Sequence, residues 1–260
     1  MTDGRLTEED FWNQYWSGLK LPALPDTKHS FDRCLAEGLG LALDGHKGRL
    51  LEIGCAPGKW MAHAALNLGF AVSGIEYSRG GIEATRRNLS LLAVDMHELH
   101  EGDFFSIPPE PCYNVVISLG FVEHFDDPAA VIERHALWLK PGGRLVIGVP
   151  NFLGIYRYIQ TILDPGLLEK HNLAIMTPEW LLNAASGPNM HAAQSLYLGS
   201  FEPDLPVPSQ RPWTLTQSAV IGLLKVARTL RKSALLRMVD HLNHRWISSY
   251  ILASYDKSGI

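Results

Sequence analysis

Three carboxylates stand at the ends of short apolar segments in the first half of the chain, where they could hold a nucleoside. Glu52 begins a pattern of acid, any residue, glycine, three residues, glycine, which continues through Gly54 and Gly58. Glu76 follows this turn by roughly 20 residues, a spacing at which an acid can accept hydrogen bonds from both ribose hydroxyls. Asp103 ends a third segment, where its carboxylate could accept from an adenine amino group.

The glycine turn, "GCAPGKW", could belong to three kinds of nucleotide site. A P-loop has four residues between its first glycine and the Gly-Lys pair, and a Ser or Thr afterwards for magnesium. Here only residues 55–57 intervene and Trp60 occupies the hydroxyl position, so that interpretation fails. A dinucleotide fingerprint is weakened, because Ala56 and Lys59 stand in its two later glycine positions. In the acid and glycine pattern, Pro57 presets the helix start and gives up an amide that a phosphate would have used, and we expect Lys59 to be a solvated side chain in the first turn of that helix.

Two histidines are candidates for a general base. His124 follows a strongly apolar segment directly after Glu123, and its imidazole titrates near neutrality. The alternative is that His124 bonds the backbone and positions a loop. His171 in "EKHNL" is the second candidate, and its alternative is a loop histidine that faces solvent. His97 and His100 lack a convergent third ligand, so the sequence predicts no metal site there.

Aromatic residues could line a pocket for an apolar ligand, or they could simply pack. Near the N-terminus, Tyr15 and Trp16 share a helical face with Trp12 and could form a lid, although packing is the expectation for any single one. Tyr156 and Tyr158 lie in a later aromatic segment, where cap packing and pocket lining are equally good interpretations.

The elements that must position these side chains are strands and helices, which differ in the spacing of their apolar residues. Five predicted strands alternate with helices of roughly ten to fifteen residues, which favours a parallel α/β sheet with helices on both faces. The predicted strands are residues 49–54, 71–78, 97–104, 113–121 and 144–151. Ligands bind beyond the carboxyl ends of the strands in such sheets, so we expect the three acids to converge there.

Beyond Asn151 the alternation of predicted strands and helices is less regular. Thr177 and Pro178 predict the start of a capped helix, "MHAAQSLYLGSF" a sixth strand, and "WISSYILASYDK" a closing strand. The periodicity predicts a long helix over 215–243, whose basic residues lie opposite an apolar stripe. We expect the stripe to pack on the domain rather than on a membrane. The basic residues are Lys225, Arg228, Arg231, Lys232 and Arg237, and the stripe contains Val220, Leu223, Leu224, Ala227, Leu230, Leu235 and Met238.

Composition limits the function classes. The 260 residues carry a formal charge of −4, which offers no overall field for nucleic acid. Three widely spaced cysteines form no disulfide or zinc pattern, and the polar N-terminus is unlike a signal peptide, so we expect a cytoplasmic protein. We interpret residues 1–260 as one domain. Its parts are a helical lid (1–45), a cofactor-binding core (46–151), a cap insertion (152–180), a helix with the sixth strand (181–202), a helical insertion (203–246) and the closing strand (247–260).

These motifs together resemble the class I S-adenosylmethionine-dependent methyltransferases. "LLEIGCAPG", "GIEYS", "EGDFF", "YNVVISLGFVEHF" and "LKPGGRLVIGVPN" match the family's motifs in order over roughly residues 50–200, although Glu52 replaces the commoner aspartate. The resemblance implies a Rossmann-like, doubly wound sheet of seven strands, with the last strand antiparallel and helical caps. It implies S-adenosylmethionine as cofactor and the binding residues Glu52, Gly54, Cys55, Ala56, Pro57, Gly58, Glu76, Tyr77, Asp103, Phe104, Leu119 and Gly120.

The function expected from this resemblance is methyl transfer to an oxygen or nitrogen, or alternatively a sulfur, of a small molecule. His124 and His171 are the candidate catalytic residues. Tyr15, Trp16, Phe121, Tyr156 and Tyr158 are the candidate acceptor-binding residues. Four alternatives stay open: an RNA methyltransferase, a protein methyltransferase, a NAD-dependent oxidoreductase and a catalytically silent cofactor-binding protein.

Overall fold

The computed structural model describes residues 4–184, 189–231 and 238–259. Seven strands in this part of the chain form one sheet in the order β3-β2-β1-β4-β5-β7-β6. Strands β1 to β5 are parallel to one another, whereas β7 runs antiparallel to both β5 and β6. The strands are β1 (Arg49–Ile53), β2 (Ala71–Glu76), β3 (Met96–Glu101), β4 (Tyr113–Leu119), β5 (Leu139–Pro150), β6 (Met190–Leu198) and β7 (Tyr250–Lys257).

Helices cover both faces of the sheet, as expected for a doubly wound fold. Successive residues of β1 point to opposite faces, so Leu50 belongs to one hydrophobic core and Leu51 and Ile53 to the other. The predicted α/β fold with an antiparallel last strand is therefore confirmed. The helices are α1 (Glu9–Ser17), α2 (Ser30–Ala42), α3 (Lys59–Leu68), α4 (Arg79–Leu91), α5 (Pro128–Ala136), α6 (Ile155–Leu163), α7 (Pro165–Glu169), α8 (Pro178–Ala184) and α9 (Leu215–Arg231).

The start of α3 differs from the sequence prediction. The helix begins at Lys59, with Gly58 as its N-cap in the left-handed conformation (φ +79°). Pro57 therefore lies before the helix rather than at its first position. At α8, in contrast, the prediction is confirmed, because the Thr177 hydroxyl accepts a hydrogen bond from the Trp180 amide at 3.1 Å.

The long helix predicted over 215–243 is shorter in the structure. Its described part, α9, ends at Arg231, and residues 240–243 are not helical. Leu224 is buried, but Leu223 and Leu230 are exposed, so only part of the predicted apolar stripe packs on the domain. Lys232, Leu235 and Arg237 lie outside the described residues. No helix in the described ranges has both the length and the apolar character needed to cross a membrane.

The connection between α1 and α2 is fastened to α4 by one buried amide. Asn88 is completely buried, and its Oδ1 accepts from the Ala23 amide at 2.6 Å while its Nδ2 donates to the Ala23 carbonyl at 3.0 Å. Both backbone groups of Ala23 are satisfied in this way. The N-terminal helix is thus held on the edge of the sheet where the predicted ligand site lies.

We expect Asn88→Ala to lower the free energy of unfolding by roughly 1–3 kcal/mol, because it leaves partly buried backbone groups of Ala23 without their present partner and removes a buried side chain. Urea unfolding measures this change. Ser90→Ala, an exposed change on the same helix, is the matched control and should stay within about 0.5 kcal/mol of the wild type. Equal stability of the two variants would contradict the assigned role of Asn88.

Candidate functional site

A cavity of about 540 Å³ opens at the carboxyl ends of β1, β2, β3 and β4. The strand order reverses between β1 and β4, and this is the place where doubly wound sheets bind ligands. Three walls enclose the cavity: the strand ends, helix α1 with the connection to α2, and the segments that follow β4 and β5. The volume lies in the range of small-molecule and cofactor sites.

The turn after β1 forms the floor of the cavity. Gly54 has φ +71°, and a Cβ there would lie 2.8 Å from the Phe121 ring, so a side chain at this position does not fit. Ala56 and Pro57 line the cavity, as predicted. Cys55, which is buried, and Gly58, which caps α3, are not among its lining residues.

Glu52 brings a buried carboxyl group to the cavity wall. The residue is 3% exposed, and its Oε2 has no hydrogen-bond partner among the described residues. Burial raises the pKa of this carboxyl well above its ordinary value, and the nearby charge of Glu76 adds to the increase. A cationic group in the cavity would favour the ionised form, so the site is suited to a positively charged ligand.

Glu76 is buried as well, but it is held by hydrogen bonds. Its Oε1 accepts from the amide and the hydroxyl of Ser78 at 2.8 and 2.7 Å, while its Oε2 accepts a longer bond of 3.4 Å from the Ala56 amide. Burial raises the pKa of Glu76 in spite of these bonds. The predicted ribose acceptor is therefore rigid at one oxygen, and its other oxygen is held more weakly.

Asp103 lines the cavity, where the sequence predicted an adenine contact. In the structure its Oδ1 forms an ion pair with Arg5 and accepts from the Phe105 amide at 2.9 Å. The Arg5 guanidinium also lies over the Tyr77 ring, 4.8 Å from the ring centroid. The N-terminal segment thus closes onto this end of the cavity. The predicted residues Phe104, Leu119 and Gly120 also line it.

Lys59 is not the solvated side chain that the sequence predicted. Its Nζ lies 2.6 Å from Oδ1 of Asp32, a residue of α2 that is 6% exposed. The prediction was wrong because the partner comes from a distant helix. Neutralised in this way, Lys59 gives the cavity little attraction for phosphate.

Helix α1 forms the lid over the cavity. The candidate acceptor-binding residues Tyr15 and Trp16 line it, together with Phe11 and Trp12. The Trp12 ring lies edge-on to the His124 ring at 5.1 Å. The helix is fixed from outside, because Asn13 accepts a hydrogen bond of 2.9 Å from the Gly80 amide at the start of α4.

His124 and His171 meet at the part of the cavity wall that the segments after β4 and α7 form. Their ring centroids are 4.6 Å apart, and both residues line the cavity. Burial lowers the pKa of His124 to about 3, and burial also lowers the pKa of His171, so both rings are neutral near pH 7. The alternative of a solvent-facing His171 is wrong, because α7 and Phe152 enclose the ring.

The structure places the other two predicted acceptor-binding tyrosines outside the cavity. Tyr156 is fully buried, and its hydroxyl donates to the Ile247 carbonyl at 3.0 Å and accepts from the Glu202 amide at 2.6 Å. Tyr158, on the other side of α6, is 65% exposed. Cap packing, the alternative interpretation, is therefore the better one. The predicted residue Phe121 does line the cavity.

Several lining residues were not predicted. Arg5, Phe152 and Tyr250 come from segments far apart in the chain and converge only through the fold. Glu123 was noted beside His124, but its burial was not expected. The position of Glu123 after β4 was the available signal, because a carboxylate at a strand end faces the ligand edge of the sheet.

Comparisons with known proteins identify the family. The sequence profile of a family described as "Methyltransferase domain" matches residues 27–197. This match spans more than half of the chain, so the chain belongs to that family. The resemblance to class I S-adenosylmethionine-dependent methyltransferases is confirmed.

Individual relatives are more distant. A ubiquinone biosynthesis O-methyltransferase from Alkalilimnicola ehrlichii is 27% identical over 47% of this chain and 50% of its own length. A 27-O-demethylrifamycin SV methyltransferase from Amycolatopsis mediterranei is 31% identical over 45% of this chain and 46% of its own. The alignments thus span about half of each relative.

A solved structure shares the fold over nearly the whole chain. A methyltransferase from Thiobacillus denitrificans, in complex with S-adenosyl-L-homocysteine, has a TM-score of 0.58 and 16% identity. The comparison covers 96% of this chain and 99% of that chain.

Tyr156→Phe should separate packing from binding. We expect it to lower the free energy of unfolding by roughly 1–3 kcal/mol, because it leaves the buried Glu202 amide unpaired, and to leave S-adenosylmethionine affinity unchanged. Chemical unfolding and titration calorimetry measure the two quantities. The control is Tyr158→Phe, which should change neither; weakened cofactor binding by Tyr156→Phe would return this residue to the site.

Proposed function

We propose that the cavity binds S-adenosylmethionine and that the protein transfers its methyl group to an oxygen or nitrogen, or alternatively a sulfur, of a small molecule. One observation carries the proposal. The buried carboxyl groups of Glu76, Glu52 and Glu123, at the ends of the neighbouring strands β2, β1 and β4, face one largely apolar chamber. S-adenosylmethionine supplies an activated methyl group on a positively charged sulfur. The ligand carries no phosphate, which agrees with the missing amide of Pro57.

Each end of this ligand has a matching group in the cavity. We assign the ammonium of the methionine tail to Glu52, whose Oε2 is otherwise unsatisfied. We assign the ribose hydroxyls to Glu76, whose Oε2 is weakly held. The adenine then lies near Asp103 and Phe104, and its amino group approaches the carboxylate that Arg5 also contacts. This assignment orients the sulfonium toward Phe121 and the histidines.

The neutral imidazoles of His124 and His171 lie at the acceptor end, beside Phe152, Leu167 and the lid. The acceptor must approach the methyl carbon in line with the breaking carbon–sulfur bond, and an enclosed chamber holds it there and excludes water. In the displacement the electron pair of that bond stays on sulfur. The names of the two relatives, both methyltransferases of small molecules and one an O-methyltransferase, support a small acceptor.

The alternatives fit the cavity less well. A dinucleotide would bring its diphosphate to the turn after β1, where Pro57 has no amide to donate and Lys59 is already paired with Asp32. A macromolecular acceptor, RNA or protein, would have to enter a chamber that α1 covers. A catalytically silent protein would bind the cofactor in the same cavity, so only an activity assay distinguishes it from a methyltransferase.

The decisive test is incubation with S-adenosylmethionine labelled at the methyl group and a panel of phenols, alcohols, amines, thiols and carboxylic acids, with products read by mass. Transfer to any small acceptor supports the proposal. Calorimetric binding of NAD in preference to S-adenosylmethionine would reject it, and cofactor binding without any labelled product would favour the silent alternative.

Glu76→Gln tests the ribose assignment. The amide oxygen lacks the charge that strengthens hydrogen bonds from both hydroxyls, so we expect the dissociation constant to rise roughly tenfold to a hundredfold. Titration calorimetry measures it. Glu83→Gln is the control, since Glu83 is exposed on α4 and pairs with Arg79 at 3.2 Å. If both variants bind alike, Glu76 does not hold the ribose.

The raised pKa of Glu52 predicts linked proton release. Below its pKa in the free protein this carboxyl is protonated, and a bound ammonium favours its ionised form, so binding releases a proton. Affinity should therefore rise as the pH increases toward the raised pKa of Glu52, and the measured binding enthalpy should vary with the ionisation enthalpy of the buffer. Glu52→Gln should lose most of both effects, leaving the contribution of Glu76. A wild-type affinity independent of pH would refute the assignment.

A further inference from the structure

Glu123, His124 and His171 form a compact group at the acceptor end of the cavity. One ligand atom from each residue lies within 4.8 Å of the others, and all three residues line the cavity. Glu123 and His124 belong to a short 3₁₀ turn after β4, whereas His171 follows α7. The fold therefore brings two distant segments together at this point.

Both imidazoles are oriented in the same way by the backbone. The Nδ1–H of His124 donates to the Lys170 carbonyl at 2.7 Å, and the Nδ1–H of His171 donates to the Leu167 carbonyl at 2.8 Å. A carbonyl can only accept, so the hydrogen of each neutral ring sits on Nδ1. Each Nε2 then carries a lone pair. Metal-binding histidines are commonly held in this way, with the other ring nitrogen donating to a carbonyl.

Glu123 presents its carboxyl group to the same point. The side chain is 1% exposed, and its Oε2 has no hydrogen-bond partner within the described part of the chain. The turn is fixed because the Glu123 carbonyl accepts from the Asn172 amide at 2.6 Å, directly beside His171. The carboxyl group and the two rings are thus held against each other by the backbone.

Glu123 and His124 face each other without a direct hydrogen bond. Nε2 of His124 lies 3.8 Å from Oε1 of Glu123, too far for a hydrogen bond, and the nitrogen has no hydrogen to donate. A lone pair on the nitrogen therefore faces the carboxyl group in a buried place. A proton on the carboxyl group or a cation between the two groups stabilises this arrangement.

We propose that Glu123, His124 and His171 bind a divalent first-row transition metal ion, such as Zn²⁺. Two imidazole nitrogens and one carboxylate are a ligand set that Zn²⁺ and Fe²⁺ accept, with the remaining positions open. Ligand atoms about 2.1 Å from a tetrahedral ion are about 3.4 Å apart, so side-chain shifts of about 1 Å complete the geometry.

The open coordination positions face the cavity, which gives the ion a role that rests on the proposed function. An oxygen of the acceptor can occupy one of them, and a bound hydroxyl loses its proton to water more readily than a free one. Acceptors with a hydroxyl or two neighbouring hydroxyls are then favoured over amines. Binding of the ion itself does not depend on this role.

A second group of ligand residues provides the comparison. His29, Glu202 and Asp204 also lie together, but Asp204 pairs with Arg228 and His29 is partly exposed. A cation is already present there, in the form of a guanidinium. His29→Ala is therefore the matched control for metal binding.

The test is titration of the chelator-treated protein with Co²⁺ and, by calorimetry, with Zn²⁺, without cofactor or acceptor. We expect one equivalent to bind, visible d–d absorption typical of nitrogen and oxygen ligands, and a metal affinity at least about 100-fold weaker in Glu123→Gln and in His171→Ala. His29→Ala should bind like the wild type. Circular dichroism and thermal unfolding establish that each variant is folded, and two different ligand variants guard against the failure of one.

Absence of saturable binding by the wild type overturns the proposal, since a proton rather than a metal would then fill the gap. Binding that is lost in His29→Ala, or kept in both Glu123→Gln and His171→Ala, overturns it as well. The proposed function is judged separately, because the labelled-methyl assay and S-adenosylmethionine calorimetry on the same protein do not require the metal site.

Discussion

The arrangement of the site depends on carboxyl groups that are buried at the ligand-binding edge of a parallel sheet. Fewer positively charged side chains than carboxyl groups lie beside them in the described part of the chain. Glu52, Glu76 and Glu123 are each less than 7% exposed, and burial raises the pKa of each. A buried charge is costly, so such groups persist where a ligand compensates them. The protein contributes the negative partner and leaves the positive one to what it binds.

The N-terminal segment covers this edge of the sheet and thereby keeps water away from the buried carboxyls. Arg5 pairs with Asp103, Asn13 holds the start of α4, and Asn88 fixes the backbone of Ala23. These three contacts are polar and join residues far apart in the sequence, whereas the aromatic side chains of α1 line the cavity. Polar contacts thus hold the segment in place, while the aromatic side chains of α1 form part of the cavity wall.

What the sequence could predict was governed by short-range patterns. The Glu52 motif, the Thr177 cap and the antiparallel last strand implied by a known family depend on neighbouring residues or on motif order, and the structure agrees with them. The prediction that Lys59 is solvated was wrong because its partner, Asp32, lies on another helix. The Tyr156 and Tyr158 assignments failed because helical spacing does not reveal which face of α6 meets the domain. The meeting of His124 and His171 depends on where α7 ends, and no local pattern specifies that.

The same charge arrangement bears on turnover in the proposed reaction. Methyl transfer converts a sulfonium into a neutral thioether, so one positive charge disappears among buried carboxyls. In a medium of low dielectric constant this loss weakens the attraction between protein and product far more than it would in water. The ammonium of the product keeps its contact with Glu52, but the sulfonium charge is gone. The buried carboxyls of Glu52 and Glu76 thus favour the positively charged methyl donor over the demethylated product.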